Sequence, residues 1–520
     1  MGQPCILAID LGTQSVRALL FDLQGMLLAR AQLALDSYQS PEPGWMETDA
    51  EGFWQALCQV CQALWAGSSV PRGDIAALVL TTQRCTVINL DRSGQPLRPA
   101  IIWPDQRRAQ QVPPLAWWWR AAFRAAGLRD TISFFGHEAE ANWIAQNQPE
   151  IWSRTDKFLL LSGYLNYRLT GRFVDSTASQ VAYVPFDHKA GRWAGRHDWR
   201  WQLLPIRRDM LPELVAPGSV IGRVSSAVAA QTGIPQDIPI VAGAADKACE
   251  VLGAGCITPD VACVSFGTAA TINTTSRRYV EPLPLIPPFQ SALPGHYNME
   301  VQITRGFWMV SWFKDQFGLL ERQLAQQRGV APESLFDELV NAVPPGAIGL
   351  MLQPFWNPGI KVPGPEAKGA VIGFGDVHTR AHLYRAILEG LAYGMREGKE
   401  RIERRSGVPV RRIRVAGGGS QSDAAMQICA DIFNLPCERP HVLDASGLGA
   451  AILAAVGVRL HPDFPTAVAA MTRPGRVFEP DARHARTYEQ LYRRVYCSMY
   501  RQLKPLYEEI RAITGYPPPG

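Results

Sequence analysis

From Cys5 to Ile9 the chain is an unbroken apolar run, closed by Asp10 and followed at once by Leu11-Gly12-Thr13-Gln14-Ser15-Val16-Arg17. A run that short without polar alternation predicts a strand buried on both faces. Ala18 to Asp22 predicts a second strand, returning antiparallel to the first after a tight Gly-Thr turn. Gly12 lets the backbone come close to a bound group. Thr13, Ser15 and Arg17 add hydroxyls and a cation that suit phosphate oxygens. Asp10 then stands where a carboxylate holds a hydrated Mg²⁺ near those oxygens. Taken alone, the same residues also fit an ordinary hairpin with a capping Asp.

The pattern returns halfway along. Val261 to Asn273 is again strand, Gly267-Thr268 turn, strand. Two such hairpins, one per half, predict two related domains facing each other. A third glycine cluster, Gly417-Gly418-Gly419, follows the strand-like Arg412 to Val415 and precedes the helix-like Asp423 to Phe433. A glycine turn from strand to helix is a ready nucleotide site, because bare backbone and a helix N-terminus can approach the ligand.

At 520 residues the chain has room for two to four domains of roughly 150 residues. Two large ones fit the repeat: 1–251, carrying the first hairpin and the acceptor side, and 252–473, carrying the nucleotide side, with a helical tail over 474–520. The tail either covers the second domain or joins a homodimer interface. A formal charge of +5, spread over scattered Arg, predicts solvated faces and no nucleic-acid partner. No apolar run is long enough to span a bilayer and no signal core precedes Asp10, so a cytoplasmic protein without a membrane partner is expected. Cys58 and Cys61 fall inside the apolar periodic segment Phe53 to Trp65, which predicts core-facing thiols on a helix. Trp117-Trp118-Trp119 sits on a helical stretch read as a lid or packing helix, with a substrate wall as the alternative.

In order and spacing these pieces resemble the FGGY carbohydrate kinases, of the superfamily that also holds hexokinase, actin and the heat-shock ATPases. The resemblance runs from Ile6 to about Val458. It rests on Asp10 to Arg17, Trp103-Pro104-Asp105-Gln106-Arg107, Ala242-Gly243-Ala244-Ala245-Asp246, Phe266-Gly267-Thr268, Gly369 to Gly373 and Gly417-Gly418-Gly419. It implies an α/β protein with two ribonuclease-H-like domains flanking a cleft. It also implies ATP and Mg²⁺ as cofactors and a small-molecule sugar or polyol as acceptor, a ketose such as a pentulose being favoured. Asp10 is then the Mg²⁺ ligand through water. Thr13, Gln14, Arg17, Gly267 and Thr268 become phosphate contacts, and Gly418, Gly419 and Ser422 nucleotide contacts.

Asp246 follows the buried strand Asp237 to Ala242 and a short small-residue turn. From the residues alone it reads equally as a general base or as the N-cap of the helix after it; the resemblance favours the base. On the acceptor side, Gln83-Arg84-Cys85 is similar to the Gln-Arg-Glu of glycerol kinases, but Cys85 stands where their Glu binds the polyol. The Met-His-Gly of xylulokinases is also missing there. Glu140 occupies a place where Lys is usual before Trp143. Arg84, Trp103 and Asp105 are expected in the pocket: guanidinium and carboxylate share hydrogen bonds with vicinal hydroxyls, and an indole supports the apolar face of a sugar. Lys247, beside the base, is expected to touch the acceptor as well. The competing reading is a catalytically silent sugar- or nucleotide-binding regulator on the same fold, and retention of both Asp10 and Asp246 argues against it. Because a nucleotide must touch a hairpin in each half, ligand is expected to draw the domains together.

Overall fold

A computed structural model describes residues 3–35, 38–330, 332–357, 359 and 363–516. Cys5–Leu11 (β1) is buried throughout. Its residues Cys5, Leu7, Ile9 and Leu11 join one apolar cluster, while Ile6 and Ala8 join another on the opposite face of the sheet. Both faces being covered, the run has no reason to alternate. Ser15–Asp22 (β2) returns antiparallel, with Asp10 opposite Arg17. Leu27–Ala34 (β3) closes the meander at the sheet edge, its residues alternating between half-buried and exposed. Helix α1 (Ala50–Gly67) is capped by Asp49, whose carboxylate accepts from the Glu51 N–H, and it buries Cys58 and Cys61 in the first core.

Ile75–Thr82 (β4) runs parallel to β1. Helices α2 (Trp117–Ala125) and α3 (Glu140–Asn147) lie in the long segment that follows. Trp119 stacks on Phe123, which meets Trp199 edge-on; Trp117 and Trp118 face solvent, and none of the three lines the central cleft. Val220–Arg223 (β5) and Pro239–Ala245 (β6) complete a six-stranded sheet in the order β5-β6-β4-β1-β2-β3. Helix α4 (Asp246–Gly253) follows β6 without a loop.

The second half repeats the plan. Val261–Phe266 (β7) and Ala270–Ser276 (β8) form the second hairpin. Phe289–Gln290 (β9) and Tyr297–Ile303 (β10) extend it, and the long helix α5 (Arg380–Ser406) crosses behind. Arg412–Ala416 (β11), α6 (Asp423–Phe433), Cys437–Pro440 (β12), α7 (Ala445–Gly457) and Pro474–Phe478 (β13) follow. The sheet order is β9-β10-β8-β7-β11-β12-β13. In each sheet an antiparallel meander borders two parallel strands and then an antiparallel edge strand. The shared order defines two ribonuclease-H-like domains.

The cut between 251 and 252 falls inside α4. The segment over 474–516 lies against the second domain, the first of the two readings of the tail, and begins with a strand: β13 pairs with β12, and Tyr488 of α8 (Ala482–Leu491) is fully buried in the second core with Tyr492, Tyr496 and, from α9 (Cys497–Thr514), Met499. Where the domains meet, α4 and α7 pack backbone to backbone. A Cβ on Gly449 would stand 1.8 Å from the Cys249 carbonyl oxygen, and one on Gly253 1.9 Å from that of Ala445. Helix α7, which follows a strand of the second sheet, buries Leu448 to Ala455 against β1, β2 and β4 of the first.

Candidate active site

Both Gly-Thr turns, the N-terminus of α4 and the glycine turn after β11 open into one cleft of about 910 Å³. The first hairpin sends in Asp10, Thr13, Gln14 and Arg17; the second sends in Gly267 and Thr268. Their position follows from topology: in each sheet the meander's first turn lies where β1 or β7 ends, beside the neighbouring parallel strand. Arg17 donates from Nη1 to Asp10 Oδ2 at 2.8 Å, and its Nε lies 3.7 Å from Asp444, which also pairs with Arg30. Burial pushes the Asp10 carboxyl up to about 6, Arg17 pulling it down and Asp246 pushing it further up.

Asp246 is the first residue of α4, and its Oδ1 accepts from the Lys247 N–H at 2.7 Å. Burial raises its carboxyl above the ordinary range, against the pull of Lys247 and Arg84. Lys247 Nζ donates to Glu250 Oε2 at 2.8 Å and to Ser265 Oγ at 2.6 Å, so it bridges from α4 to β7. Arg84, in the loop after β4, donates to both carboxylate oxygens of Glu300 on β10, at 3.0 and 3.2 Å, and lies over the Phe289 ring. Trp103 lines the cleft and gives its indole N–H to Thr13 Oγ1 at 2.8 Å, tying this wall of the cleft to the first Gly-Thr turn. Cys85 also lines the cleft, at a φ of 54°, with its thiol on the Val181 carbonyl at 3.1 Å.

Three predicted site residues do not reach this cleft. Asp105 is held behind the wall: its carboxylate accepts from Arg107 Nε at 2.8 Å and Nη2 at 2.6 Å and from the Met46 N–H at 2.6 Å, leaving nothing for an acceptor. Arg107 is committed in turn to Glu47. Gly419 faces inward, where a Cβ would stand 2.3 Å from the Phe307 ring. Ser422 caps α6, accepting from the Ala425 N–H and donating to Asp337. Gly418 does line the cleft, with Gly417 and Gln421.

Sequence reasoning missed Glu300, Gln302 and Glu250, which line the cleft, and quoted Gln83, which also lines it, only as part of a motif and with no role of its own. Glu300 had a signal: a charge inside the strand-like Tyr297 to Ile303 needs a partner. Gln83 is 3% exposed, yet neither its Nε2 nor its Oε1 has a hydrogen-bond partner. A buried amide so placed costs about 1–3 kcal/mol unless a ligand or water meets it.

Two ribonuclease-H-like domains facing one another across a cleft, each with a Gly-Thr hairpin opening into it, define the two-domain fold shared by hexokinase and actin. Residues 5–253 match the N-terminal domain of the FGGY family of carbohydrate kinases, and 262–458 match its C-terminal domain. The chain belongs to that family, and the enzyme is an ATP-dependent phosphotransferase with an alcohol group as acceptor. It is 29% identical over 523 residues to the uncharacterized sugar kinase YgcE of Escherichia coli, covering 99% of this chain and 98% of that one. It is 28% identical over 534 residues to a xylulose kinase of Staphylococcus epidermidis, covering 99% and 100%. Other relatives are named glycerol kinase. Among solved structures, the ligand-bound xylulose kinase of Lactobacillus acidophilus superimposes with a TM-score of 0.81 at 21% identity, over 97% of this chain and 99% of that one. Among the described residues no helix is long and apolar enough to cross a membrane.

Proposed function

We propose that this enzyme transfers the γ-phosphoryl group of ATP to a hydroxyl of a ketose, a pentulose being favoured, with Asp246 as general base. The observation that carries this reading is the position of Asp246: a half-buried carboxylate at the head of α4, in the same cleft as both Gly-Thr turns and beside Arg84. Phosphoryl transfer needs little covalent help from the protein. The acceptor oxygen bonds to phosphorus as the bond to the ADP oxygen breaks, and its proton passes to Asp246. Arg84 offers hydroxyls the donors that Glu300 leaves free, and Trp103, its N–H engaged, offers its ring face.

Thr13, Gln14, Arg17, Gly267 and Thr268 serve the phosphates, and Gly418 the nucleotide. The donor set suits Mg²⁺ held largely by water and phosphate oxygens. Asp10 is a single buried carboxylate, and the described residues contain no cluster of three or more His, Cys, Asp or Glu that would cage a metal. Asp10 would hold that ion through water, and the ion supplies neutralisation of phosphate charge.

The test is ADP release measured across pentuloses, hexuloses, deoxy sugars and polyols. A pentulose among the best acceptors is expected. A screen led by glycerol would overturn the ketose assignment, and one in which no sugar or polyol stimulates ADP release would overturn the whole reading.

A further inference from the structure

We propose that Lys247 is the cation that meets the transferred phosphoryl group, and not a second contact to the acceptor. This rests on the kinase reading above and assigns Lys247 a separate task within it.

The geometry points this way from three sides. First, the ammonium is pulled off the acceptor side by a fork. Glu250 Oε2 takes it at 2.8 Å and Ser265 Oγ at 2.6 Å, while Ser265 donates to Glu250 Oε1 at 3.0 Å. Ser265 immediately precedes Phe266 and the Gly267-Thr268 turn, so the fork draws the charge under that turn. Second, Lys247 Nζ stands 3.5 Å from where a Cβ on Gly267 would be. The charge therefore lies against the glycine whose missing side chain opens that turn to a ligand. Third, an ammonium has three N–H bonds. Two are used in the fork, and the third remains for a group in the cleft that Lys247 lines.

Its neighbours define which group that is. Asp246, one residue earlier, is placed to receive the proton of the attacking oxygen. The leaving ADP oxygen belongs with the Gly267-Thr268 turn. The phosphorus must lie between these two, and Lys247 spans that gap from a single turn of α4. Arg84, the other cation near the base, is paired instead with Glu300 on β10. The two cations thus divide the work, one for acceptor hydroxyls and one for phosphoryl oxygens. Burial works against the charge on Lys247, but Glu250 and Asp246 outweigh it and hold its pKa above the ordinary value. It stays charged while negative charge develops on the equatorial oxygens, where a fixed cation acts most strongly.

A lysine that merely braced α4 against β7 would not distinguish ATP from ADP. The experiment uses Lys247→Gln and Lys247→Arg in the full chain with Mg²⁺. Calorimetry measures binding of ADP and of the non-hydrolysable β,γ-imido-ATP, and steady-state kinetics use the best acceptor of the screen. For Lys247→Gln we expect kcat to fall by about 10²-fold, the scale of losing one preorganised donor, with acceptor KM and ADP affinity nearly unchanged. Its preference for the imido analogue over ADP should disappear, whereas Lys247→Arg, which keeps the charge, should retain it. A raised acceptor KM with kcat intact would overturn the proposal. So would equal weakening of both nucleotides, or loss of the analogue preference in a folded Lys247→Arg protein; that last arm stands even if the Gln variant does not fold. Asp246→Asn is run in parallel. If it alone abolishes turnover, only the role of Lys247 falls; if it too is harmless, the assignment of Asp246 as general base falls with it.

Discussion

Asp246→Asn separates chemistry from structure unusually well at this position. The Asp246 Oδ1 that accepts from the Lys247 N–H at 2.7 Å has a counterpart in the Asn amide oxygen, so the start of α4 is preserved. Burial disfavours the ionised carboxylate, so a neutral amide should leave the melting temperature unchanged or raise it. What is lost is the acceptor for the sugar hydroxyl proton. General-base loss commonly costs about 10²- to 10⁴-fold, or about 2.7–5.4 kcal/mol in barrier at 1.36 kcal/mol per tenfold. The assay is kcat at saturating acceptor, with ADP affinity by calorimetry as the control for an intact nucleotide site. The wild-type pH profile adds a second readout. A base works only when ionised, and the Asp246 carboxyl is held above its ordinary range. kcat/KM should therefore decrease as pH falls, on an acid limb lying above the usual carboxylate range of about 3.9, and the Asn variant should keep only the part of that limb due to Asp10, whose carboxyl lies at about 6. Turnover near wild type in a folded Asn variant would refute the reasoning.

Burial pushes the Glu140 carboxyl up to about 8. A raised folded-state pKa favours folding below the unfolded value and loses that advantage as pH rises to the folded one. Glu140→Gln should therefore gain on wild type by about 1.4 kcal/mol per pH unit between about pH 5 and 8 and level off above, read from denaturant melts; a constant difference would refute it. Glycerol should be at least about 10-fold less efficient than the best ketose, since Cys85 offers no charge-assisted bond worth roughly 1.5–3 kcal/mol; parallel kcat/KM values decide. Gly449→Ala puts a Cβ 1.8 Å from the Cys249 carbonyl oxygen, and overpacking of this kind typically costs about 1–3 kcal/mol. Its melting temperature and kcat should both drop, and an unchanged melt would count against the contact. Small-angle scattering should report a smaller radius of gyration once a sugar and β,γ-imido-ATP are bound together, with slow ATP hydrolysis in the absence of sugar; an unchanged radius with rapid hydrolysis would exclude closure.

The two hairpins were legible because each combines a buried apolar run with a Gly-Thr turn. The tight α4–α7 packing was foreshadowed by Gly447, Gly449 and the alanines around them. What escaped the sequence was pairing at a distance. Pro474-Gly475-Arg476-Val477-Phe478 has mostly exposed residues and a proline, and only its partner β12 makes it a strand. Asp105 looked like a pocket carboxylate although Arg107, two residues on in the same motif, takes it together with the distant Met46 N–H. Ser422 illustrates two chemistries competing for one hydroxyl. Ser before Asp at a helix start is a capping signature, and here the cap took the hydroxyl that was expected to meet the nucleotide.

The contact between α4 and α7 also sets how the base moves. Cys249, which meets Gly449, is three residues from Asp246, about 5 Å along the helix. If the domains pivot where these helices touch, Asp246 rides close to the axle, while groups at the rim of the cleft sit further out on the swinging arm. A given angle of rotation then sweeps the outer groups through a long arc and barely shifts the carboxylate. The reaction would be assembled by bringing phosphate and acceptor walls to a nearly stationary base. Wear at the pivot, such as a single methyl group on Gly449, would be amplified along the arm and felt most by the groups farthest from it.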